Sequence, residues 1–228
     1  MTVNRVIFSG WMGPGAMTGP REAALLSLVR NSGCANAHIT HETLERWIDP
    51  AFALHPAFRY LSAVHKCDYL RCYALHVYGG GYADVKHTTT NWQPFFEQLD
   101  RSAAFGLGYT EIGPQGVARV GGSLELEMKA NYTRLIGLCA MIFRKRTDFT
   151  TEWYGNVTAL LDEKFDALVA NPARHPQDHL GVSFSDGSIS TYPLAWTAVG
   201  GDIFHPLAYK YYDKLLHGDI APSFQNYR

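Results

Sequence analysis

The sequence predicts an α/β fold, in which strands and helices alternate along the chain. Residues 5–47 read in the order strand, helix, strand, helix, and residues 65–86 change from a helical to a strand periodicity in their middle. Residues 135–143 form a continuous apolar run of strand length. Alternating elements favour a sheet covered by helices, and an uninterrupted apolar run favours a strand buried on both faces. We therefore expect a central sheet flanked by helices.

The N-terminal part of the chain carries the first four predicted elements. These are a strand at 5–9, a helix at 21–32, a strand at 37–40 and a short helix at 43–47. The first strand is rich in β-branched and aromatic residues, and the sequence G-W-M-G-P-G at 10–15 then predicts a glycine-rich loop. Pro20 and Gly33 bracket the first helix, as start and stop signals do.

A long helix is predicted from about Ala57 to the glycines that follow it. Its apolar residues recur at steps of four and three and form one stripe that faces the core: Ala63, Cys67, Leu70, Ala74 and Val77. Asp68 and Arg71 flank this stripe. Because they are spaced i,i+3, their carboxylate and guanidinium lie on one face and either pair with each other or project together toward a ligand.

Glycines 79–81 end this helix, because glycine adopts left-handed dihedral angles without a steric penalty at Cβ. A short strand is predicted to follow at once, at 82–85. Asp84 lies near its carboxyl end, which is the end at which open α/β sheets bind ligands. This carboxylate is therefore a candidate site residue.

The C-terminal half predicts a further set of elements: a short helix from Pro94 to Leu99, strands at 105–109 and 135–143, a helix capped by Thr150 or Thr151 and ended by Asn171 and Pro172, and a last helix at 206–217. Residues 111–123 are glycine-rich and are expected to be irregular.

Length and composition favour one globular domain, 1–228. The chain has 228 residues, of which 18% are charged and 46% hydrophobic. Its net charge is −1, so neither nucleic acid nor an anionic membrane is expected as a partner. No apolar run approaches the roughly 20 residues that a transmembrane helix needs. We see no signal peptide either, and a cytoplasmic location is the expectation.

Residues 68–86 carry a composite motif, D-Y-L-R followed by Y-G-G-G-Y-A-D-V-K. It resembles the S-D-x-x-R…Y-G-G-x-Y-x-D-x-D core of the DXD-containing sugar-transferase family, which includes capsular polysaccharide synthesis proteins, fungal mannosyltransferases and glucosylating toxins. The resemblance is firm over about residues 57–99 and faint after Gly113.

The resemblance implies a GT-A fold, a Rossmann-like nucleotide-sugar-binding domain with a mixed central sheet. Its donor-binding part would span about 1–110 and its acceptor side about 111–228. The implied activity is glycosyl transfer from a nucleotide-sugar donor to a carbohydrate acceptor, with retention at the anomeric carbon, in capsule, lipopolysaccharide or other surface-glycan synthesis.

The resemblance also implies roles for particular residues. Asp68 and Arg71 match the helix pair that binds the donor sugar, and Asp84 matches the first carboxylate of D-x-D, which binds metal and diphosphate. The other donor-side candidates are Gly10 and Trp11 in the loop after the first strand, and Gly80, Gly81 and Tyr82 in the matched motif.

Lys86 departs from the family pattern, because it replaces the second carboxylate of D-x-D. An ammonium repels a cation, yet it supplies positive charge to phosphate oxygens itself. In one hypothesis Lys86 acts beside Asp84 as a catalytic residue and makes Mn²⁺ or Mg²⁺ partly or wholly dispensable. In the other, Lys86 points away, and Asp84 holds a metal with a C-terminal His or Asp. The two side chains share a face only if the strand stays regular through Lys86.

The remaining candidates lie in the C-terminal half. Asp178 and His179 belong to the sequence H-P-Q-D-H at 175–179, whose imidazoles and carboxylate suit metal binding or acid–base chemistry; the alternative is a solvated loop. His205 and His217 bracket the last predicted helix. By resemblance to C-terminal histidines of GT-A enzymes, they are candidates for contacting the diphosphate.

Two other functions remain open at this point. One is a degenerate transferase domain that binds nucleotide sugars without turning them over. The other is a metal hydrolase that uses histidines such as His38 and His41, or His175 and His179, although the chain has no H-E-x-x-H motif.

Overall fold

A computed structural model describes residues 2–225 of the chain. Within this range it contains one mixed sheet of six strands, in the spatial order β2-β1-β3-β5-β4-β6. The strands are β1 (Val6–Gly10), β2 (Ala35–Ile39), β3 (Gly80–Ala83), β4 (Gly106–Thr110), β5 (Ile136–Phe143) and β6 (Leu215–His217). Strand β5 is antiparallel to both of its neighbours, and the other pairs are parallel. The predicted α/β class with a mixed central sheet is confirmed.

Helices cover both faces of the sheet. The α-helices are α1 (Gly19–Asn31), α2 (Ala63–Val77), α3 (Gln93–Asp100), α4 (Gly122–Ala130), α5 (Asp148–Glu163), α6 (Phe165–Ala170) and α7 (Gly201–Lys210). Helices α2, α5 and α7 pack on one face, and α1 and α3 contribute to the core on the other. Across residues 2–225, none of these helices has both the length and the apolar character needed to cross a bilayer.

Strand β5 shows why the apolar run at 135–143 folds as a central strand. Met141 and Phe143 point into one hydrophobic core, and Ala140 and Ile142 point into the other. Successive side chains of a strand face opposite sides, so a strand covered on both sides must be apolar throughout. The prediction of a buried central strand is confirmed.

Helix α2 is buried on nearly every side, whereas its sequence predicted a single apolar stripe. Tyr69, Arg71, Tyr73 and His76 are buried in addition to the stripe residues Leu70, Ala74 and Val77. The tyrosines outside the stripe can be buried because their hydroxyl groups form hydrogen bonds. The Tyr73 hydroxyl, for example, donates to the Phe52 carbonyl at 2.6 Å. Because tyrosine combines an apolar ring with a hydroxyl that can be hydrogen-bonded, side chains on nearly every face of this helix can be buried.

The predicted bounds of helix α2 and strand β3 need correction. The helix begins at Ala63, where Ser62 caps it, and a separate 3₁₀ helix, Pro56–Tyr60, precedes it. Strand β3 begins at Gly80, so of the three glycines only Gly79 lies between the helix and the strand. Its φ of 63° is left-handed and ends the helix. Gly80 also has positive φ, 108°, and a Cβ there would lie 2.6 Å from the Val6 carbonyl oxygen. This glycine allows β3 to approach β1.

Two C-terminal predictions were also wrong in their bounds. The cap of α5 is Thr147 rather than Thr150 or Thr151, because the Thr147 hydroxyl accepts from the Thr150 amide. The last helix spans Gly201–Lys210, and His217 ends strand β6 instead of a helix. Pairing with the edge of β4 supplies the backbone hydrogen bonds that make 215–217 a strand.

The order of the strands creates a crevice beside β1. From β1 the chain turns to β2 on one side, and it then returns through α2 to β3 on the other side of β1. The loops that leave β1 and β3 therefore diverge. Open α/β sheets bind ligands in such a crevice, at the carboxyl ends of the strands.

Candidate functional site

The candidate site lies at the carboxyl edge of the sheet, beside the crevice between β1 and β3. Asp84 follows β3 directly, and Lys86 comes two residues later. Asp68 and Arg71 reach the same place from α2. The structure brings these four predicted residues together in one chain of ion pairs.

Arg71 links the two carboxylates of the cluster. Its Nη1 donates to Asp68 Oδ1 at 2.9 Å and its Nη2 donates to Asp84 Oδ1 at 2.8 Å. Its guanidinium lies over the ring of Tyr82, 4.7 Å from the centroid, and its side chain is only 6% exposed. Arg71 Nε has no hydrogen-bond partner among the described residues. The helix pair predicted from its spacing therefore exists, and Asp84 is its third member.

Lys86 points toward Asp84 although the strand does not stay regular. Its amide donates to the Asp84 carbonyl at 2.7 Å, which closes a tight turn around Val85. Its ammonium lies 3.1 Å from Asp84 Oδ2 and 2.8 Å from the Cys139 sulfur. The ring of Phe224 lies 5.0 Å from the same nitrogen. Of the two hypotheses for Lys86, the geometry agrees with the one in which it faces Asp84.

The charges of the cluster shift the pKa values of its members. Burial acts to raise the pKa of Asp84, but the positive charges of Arg71 and Lys86 outweigh it and lower that pKa to about 2. Burial acts to lower the pKa of Lys86, and Asp84 reverses this, so the pKa of the ammonium is raised. Burial raises the pKa of Asp68, and the charge of Arg71 opposes that rise. Asp84 is thus held as a carboxylate between two cations.

Burial controls Cys139, the neighbour of Lys86. Removal from water raises the pKa of its thiol to about 11, so the thiol is protonated at neutral pH and accepts the Lys86 hydrogen bond as a neutral group. No cysteine motif in the sequence indicated this contact.

Two further residues belong to the site that the sequence did not single out. Arg21, at the start of α1, donates to the Val85 carbonyl at 2.6 Å, and its guanidinium lies 6.0 Å from the Trp11 ring. Gly200 approaches Asp68 so closely that a Cβ would lie 3.2 Å from Asp68 Oδ2. Both come from segments distant in sequence, and neither belongs to a motif. In the sequence, the one indication of such a role was that Arg21 follows closely after the predicted glycine-rich loop.

The predicted donor-side glycines have different surroundings. Gly10 ends β1 at the crevice, and a Cβ there would lie 3.2 Å from the Cys67 sulfur. Trp11 is partly exposed, and its indole nitrogen donates to the Gly15 carbonyl at 3.0 Å. Gly80 and Gly81 lie instead at the amino end of β3, where the space beside Gly81 is filled by Ile7 and Trp92. In the structure these two glycines serve strand packing, and their contribution to donor binding stays a prediction.

Asp178 and His179 separate into two environments. Asp178 is buried and accepts from the Ser190 hydroxyl and the Arg174 amide, so its carboxylate holds its own loop together. His179 is partly exposed, with Nδ1 3.0 Å from the Gln177 carbonyl oxygen. The expectation of one solvated loop was wrong for Asp178, because its neighbours satisfy both carboxylate oxygens.

His205 and His217 lie near the ends of β4 and β6, on the same sheet edge as Asp84. His205 Nδ1 accepts from the Ala118 amide at 2.9 Å, and its Nε2 lies 3.4 Å from Glu111 Oε2. His217 Nδ1 lies 2.9 Å from the Thr110 hydroxyl, beside a cavity of about 390 Å³. None of these contacts joins either histidine to the ion pairs of the cluster, and their role at the diphosphate stays a prediction.

The histidines proposed for a metal hydrolase make other contacts. His38 Nδ1 lies 2.9 Å from the Ser9 hydroxyl, and His41 Nε2 lies 3.1 Å from the Met12 carbonyl oxygen. Within residues 2–225, no three His, Cys, Asp or Glu side chains are grouped as metal ligands. These contacts give the hydrolase hypothesis no positive support.

Comparisons with known proteins add no relative. No protein-family model matches the chain, and no curated protein matches it at a significant level.

Proposed function

We propose that this protein is a glycosyltransferase that moves a sugar from a nucleotide-sugar donor to a hydroxyl group of a carbohydrate acceptor. One observation carries the proposal: the cluster of Asp68, Arg71 and Asp84 lies at the crevice between β1 and β3, at the carboxyl edge of the sheet. Such a crevice is where open α/β sheets bind nucleotides. The resemblance of residues 68–86 to the sugar-transferase core supplies the reaction class.

The cluster suits the recognition of a sugar that carries a diphosphate. Carboxylates accept hydrogen bonds from sugar hydroxyls, and hydrogen bonds to charged groups are stronger than neutral ones. Gly200 approaches Asp68 Oδ2 closely, which only a residue without a side chain does without strain, so the segment at 200 lies against this carboxylate. Arg71, Lys86 and Arg21 supply positive charge at the same edge. Asp68 therefore holds donor hydroxyls in this proposal, and the cations face the diphosphate.

Transfer breaks the bond between the anomeric carbon and the diphosphate oxygen. The electron pair of that bond leaves with the diphosphate, the acceptor oxygen bonds to the anomeric carbon, and the acceptor proton passes to the departing diphosphate. Negative charge grows on the leaving group, so fixed positive charges nearby stabilise the transition state more than the ground state. The proposed outcome is retention, in surface-glycan synthesis, as the sequence resemblance implies.

Asp68 gives the direct test. We expect Asp68→Asn to lower sugar transfer or donor hydrolysis by about ten- to a hundredfold, because it removes charge-assisted hydrogen bonds to donor hydroxyls. The measurement is turnover of a panel of uridine, guanosine, adenosine and cytidine diphosphate sugars. Asp213→Asn is the matched control, since that carboxylate is 58% exposed and pairs only with Lys214 among the described residues. Full turnover by a folded Asp68→Asn protein contradicts the proposal.

A binding module without turnover is the second candidate, and the loss of the second D-x-D carboxylate at Lys86 favours it. The same panel separates the two. Tight binding of a nucleotide sugar with no product over many hours assigns the module, whereas product formation assigns the enzyme.

A further inference from the structure

The two oxygens of the Asp84 carboxylate are each bound by a different cation. Arg71 Nη2 lies 2.8 Å from Oδ1 and Lys86 Nζ lies 3.1 Å from Oδ2. In the family pattern that this chain resembles, the carboxylates of D-x-D hold a divalent metal. A metal at Asp84 would lie beside the positive charges of both Arg71 and Lys86, which repel it, so these residues do not fit a D-x-D metal.

We infer that the donor site works without a divalent cation, and that the ammonium of Lys86 lies where the metal would otherwise neutralise the diphosphate. This inference rests on the proposed glycosyltransferase function and concerns the same site.

The balance of charge supports the inference. Among the described residues, the ion pairs join two carboxylates, Asp68 and Asp84, to two cations, Arg71 and Lys86, and Arg21 adds positive charge at the same edge. With a carboxylate at position 86, three anions would face two guanidinium groups, and the excess negative charge would attract a divalent cation. With Lys86 that excess is absent, and an ammonium close to the carboxylate repels any approaching cation.

The position of Lys86 is held by several contacts. The turn at Val85 directs its side chain back to Asp84, the Cys139 sulfur accepts a second hydrogen bond, and the Phe224 ring lies against the ammonium. The side chain is only 10% exposed. A charge held in this way is already oriented before the donor binds, which is the condition under which a fixed charge stabilises a transition state well.

The experiment measures binding of uridine and guanosine diphosphate to the full chain by calorimetry, after EDTA treatment and again with Mn²⁺. We expect the wild-type affinity to change by less than about threefold between the two conditions. Lys86→Asp is expected to bind at least about tenfold more weakly in EDTA, and Mn²⁺ is expected to restore the loss, because the variant regains two carboxylates at D-x-D spacing. Lys164→Asp is the control, because Lys164 is a partly exposed lysine that lies between α5 and α6 and pairs with Glu163.

Direct Mn²⁺ binding, followed by electron paramagnetic resonance, gives a second readout that needs no nucleotide. Wild type is expected to leave Mn²⁺ free, and Lys86→Asp is expected to bind it. If Lys86→Asp does not fold, Lys86→Met keeps the apolar stem; it is expected to weaken diphosphate binding without rescue by Mn²⁺.

The outcomes separate the inference from the function beneath it. Diphosphate binding by wild type only in the presence of Mn²⁺ overturns the inference and leaves the transferase proposal in place. Unchanged metal-free affinity in Lys86→Met overturns the role of Lys86. No binding of any nucleoside diphosphate under either condition overturns the proposed function, and the inference with it.

Discussion

Asp84 shows how a single residue acquires its properties from its neighbours. Its carboxylate is largely buried, and burial alone would favour the protonated form. Arg71 and Lys86 outweigh burial because each lies within ion-pair distance of a different oxygen. The same two contacts stabilise the fold and prepare the site, so substitutions at Asp84 affect both.

Stability against pH tests the state of Asp84. Its pKa is lowered from 3.8 to about 2 in the folded protein. Stabilisation from the ionised carboxylate is therefore complete above pH about 4 and is lost as the pH falls toward 2, an effect of about 2 kcal/mol. We expect wild type to exceed Asp84→Asn in unfolding free energy at pH 7, and the difference to shrink by about that amount at pH 2. Urea unfolding at both pH values measures it; a constant difference would mean that Asp84 is not held ionised.

Strand β3 shows how an element is determined by the space around it. It is short and contains two glycines, yet all of its residues are buried. Gly80 and Gly81 lack the side chains that would collide with β1 and with Trp92. Because they let β3 lie between β1 and β5, they set the position of Asp84 at its end.

Gly80→Ala tests this packing role. The added Cβ would meet the Val6 carbonyl oxygen at 2.6 Å, at a residue whose φ is 108°. We expect a loss of about 2–4 kcal/mol in unfolding free energy from the collision and the backbone strain. Thermal or urea unfolding provides the measurement.

Gly155→Ala is the matched control for that substitution. Gly155 is exposed in the middle of α5, and a Cβ there meets nothing within 4 Å. Alanine is the better helix former, so a gain of about 0.5–1 kcal/mol is expected. Equal effects of the two substitutions would contradict the role assigned to Gly80.

At the scale of the whole molecule, two of the concave surfaces among residues 2–225 are candidates for binding a nucleotide, and their chemistry differs. One is the crevice at the ends of β1 and β3, with its cluster of charges. The other is a groove of about 770 Å³ between α4, α5 and α7, whose lining includes Leu160, Ile203 and Leu207. A nucleoside diphosphate needs positive charge at its phosphates, which favours the crevice.

Hydrogen exchange distinguishes these two surfaces. With a nucleoside diphosphate bound, we expect slower exchange for amides at 11–18 and 84–88, because those loops border the crevice. Amides of α7 are expected to exchange as they do in the free protein. Mass spectrometry of peptides from these segments provides the measurement, and protection centred on α7 would move the binding site to the groove.

The sequence by itself determined the class of the fold and the core of the candidate site. The apolar run of β5 and the change of period between α2 and β3 are patterns of residues adjacent in the chain. The sequence alone therefore predicted both elements. The pairing of Asp68 with Arg71 was also local, because i,i+3 spacing puts two side chains on one face of a helix.

Only the tertiary structure decided how the cluster is completed. Lys86 meets Cys139, Gly200 meets Asp68, and Arg21 binds the Val85 carbonyl, and each of these contacts joins residues far apart in the chain. The bounds of the last helix and the buried position of Asp178 were misjudged for the same reason. Such contacts depend on the order in which strands pair, and the local pattern of residues does not specify that order, because a strand of given sequence pairs with whichever neighbour the folded sheet supplies.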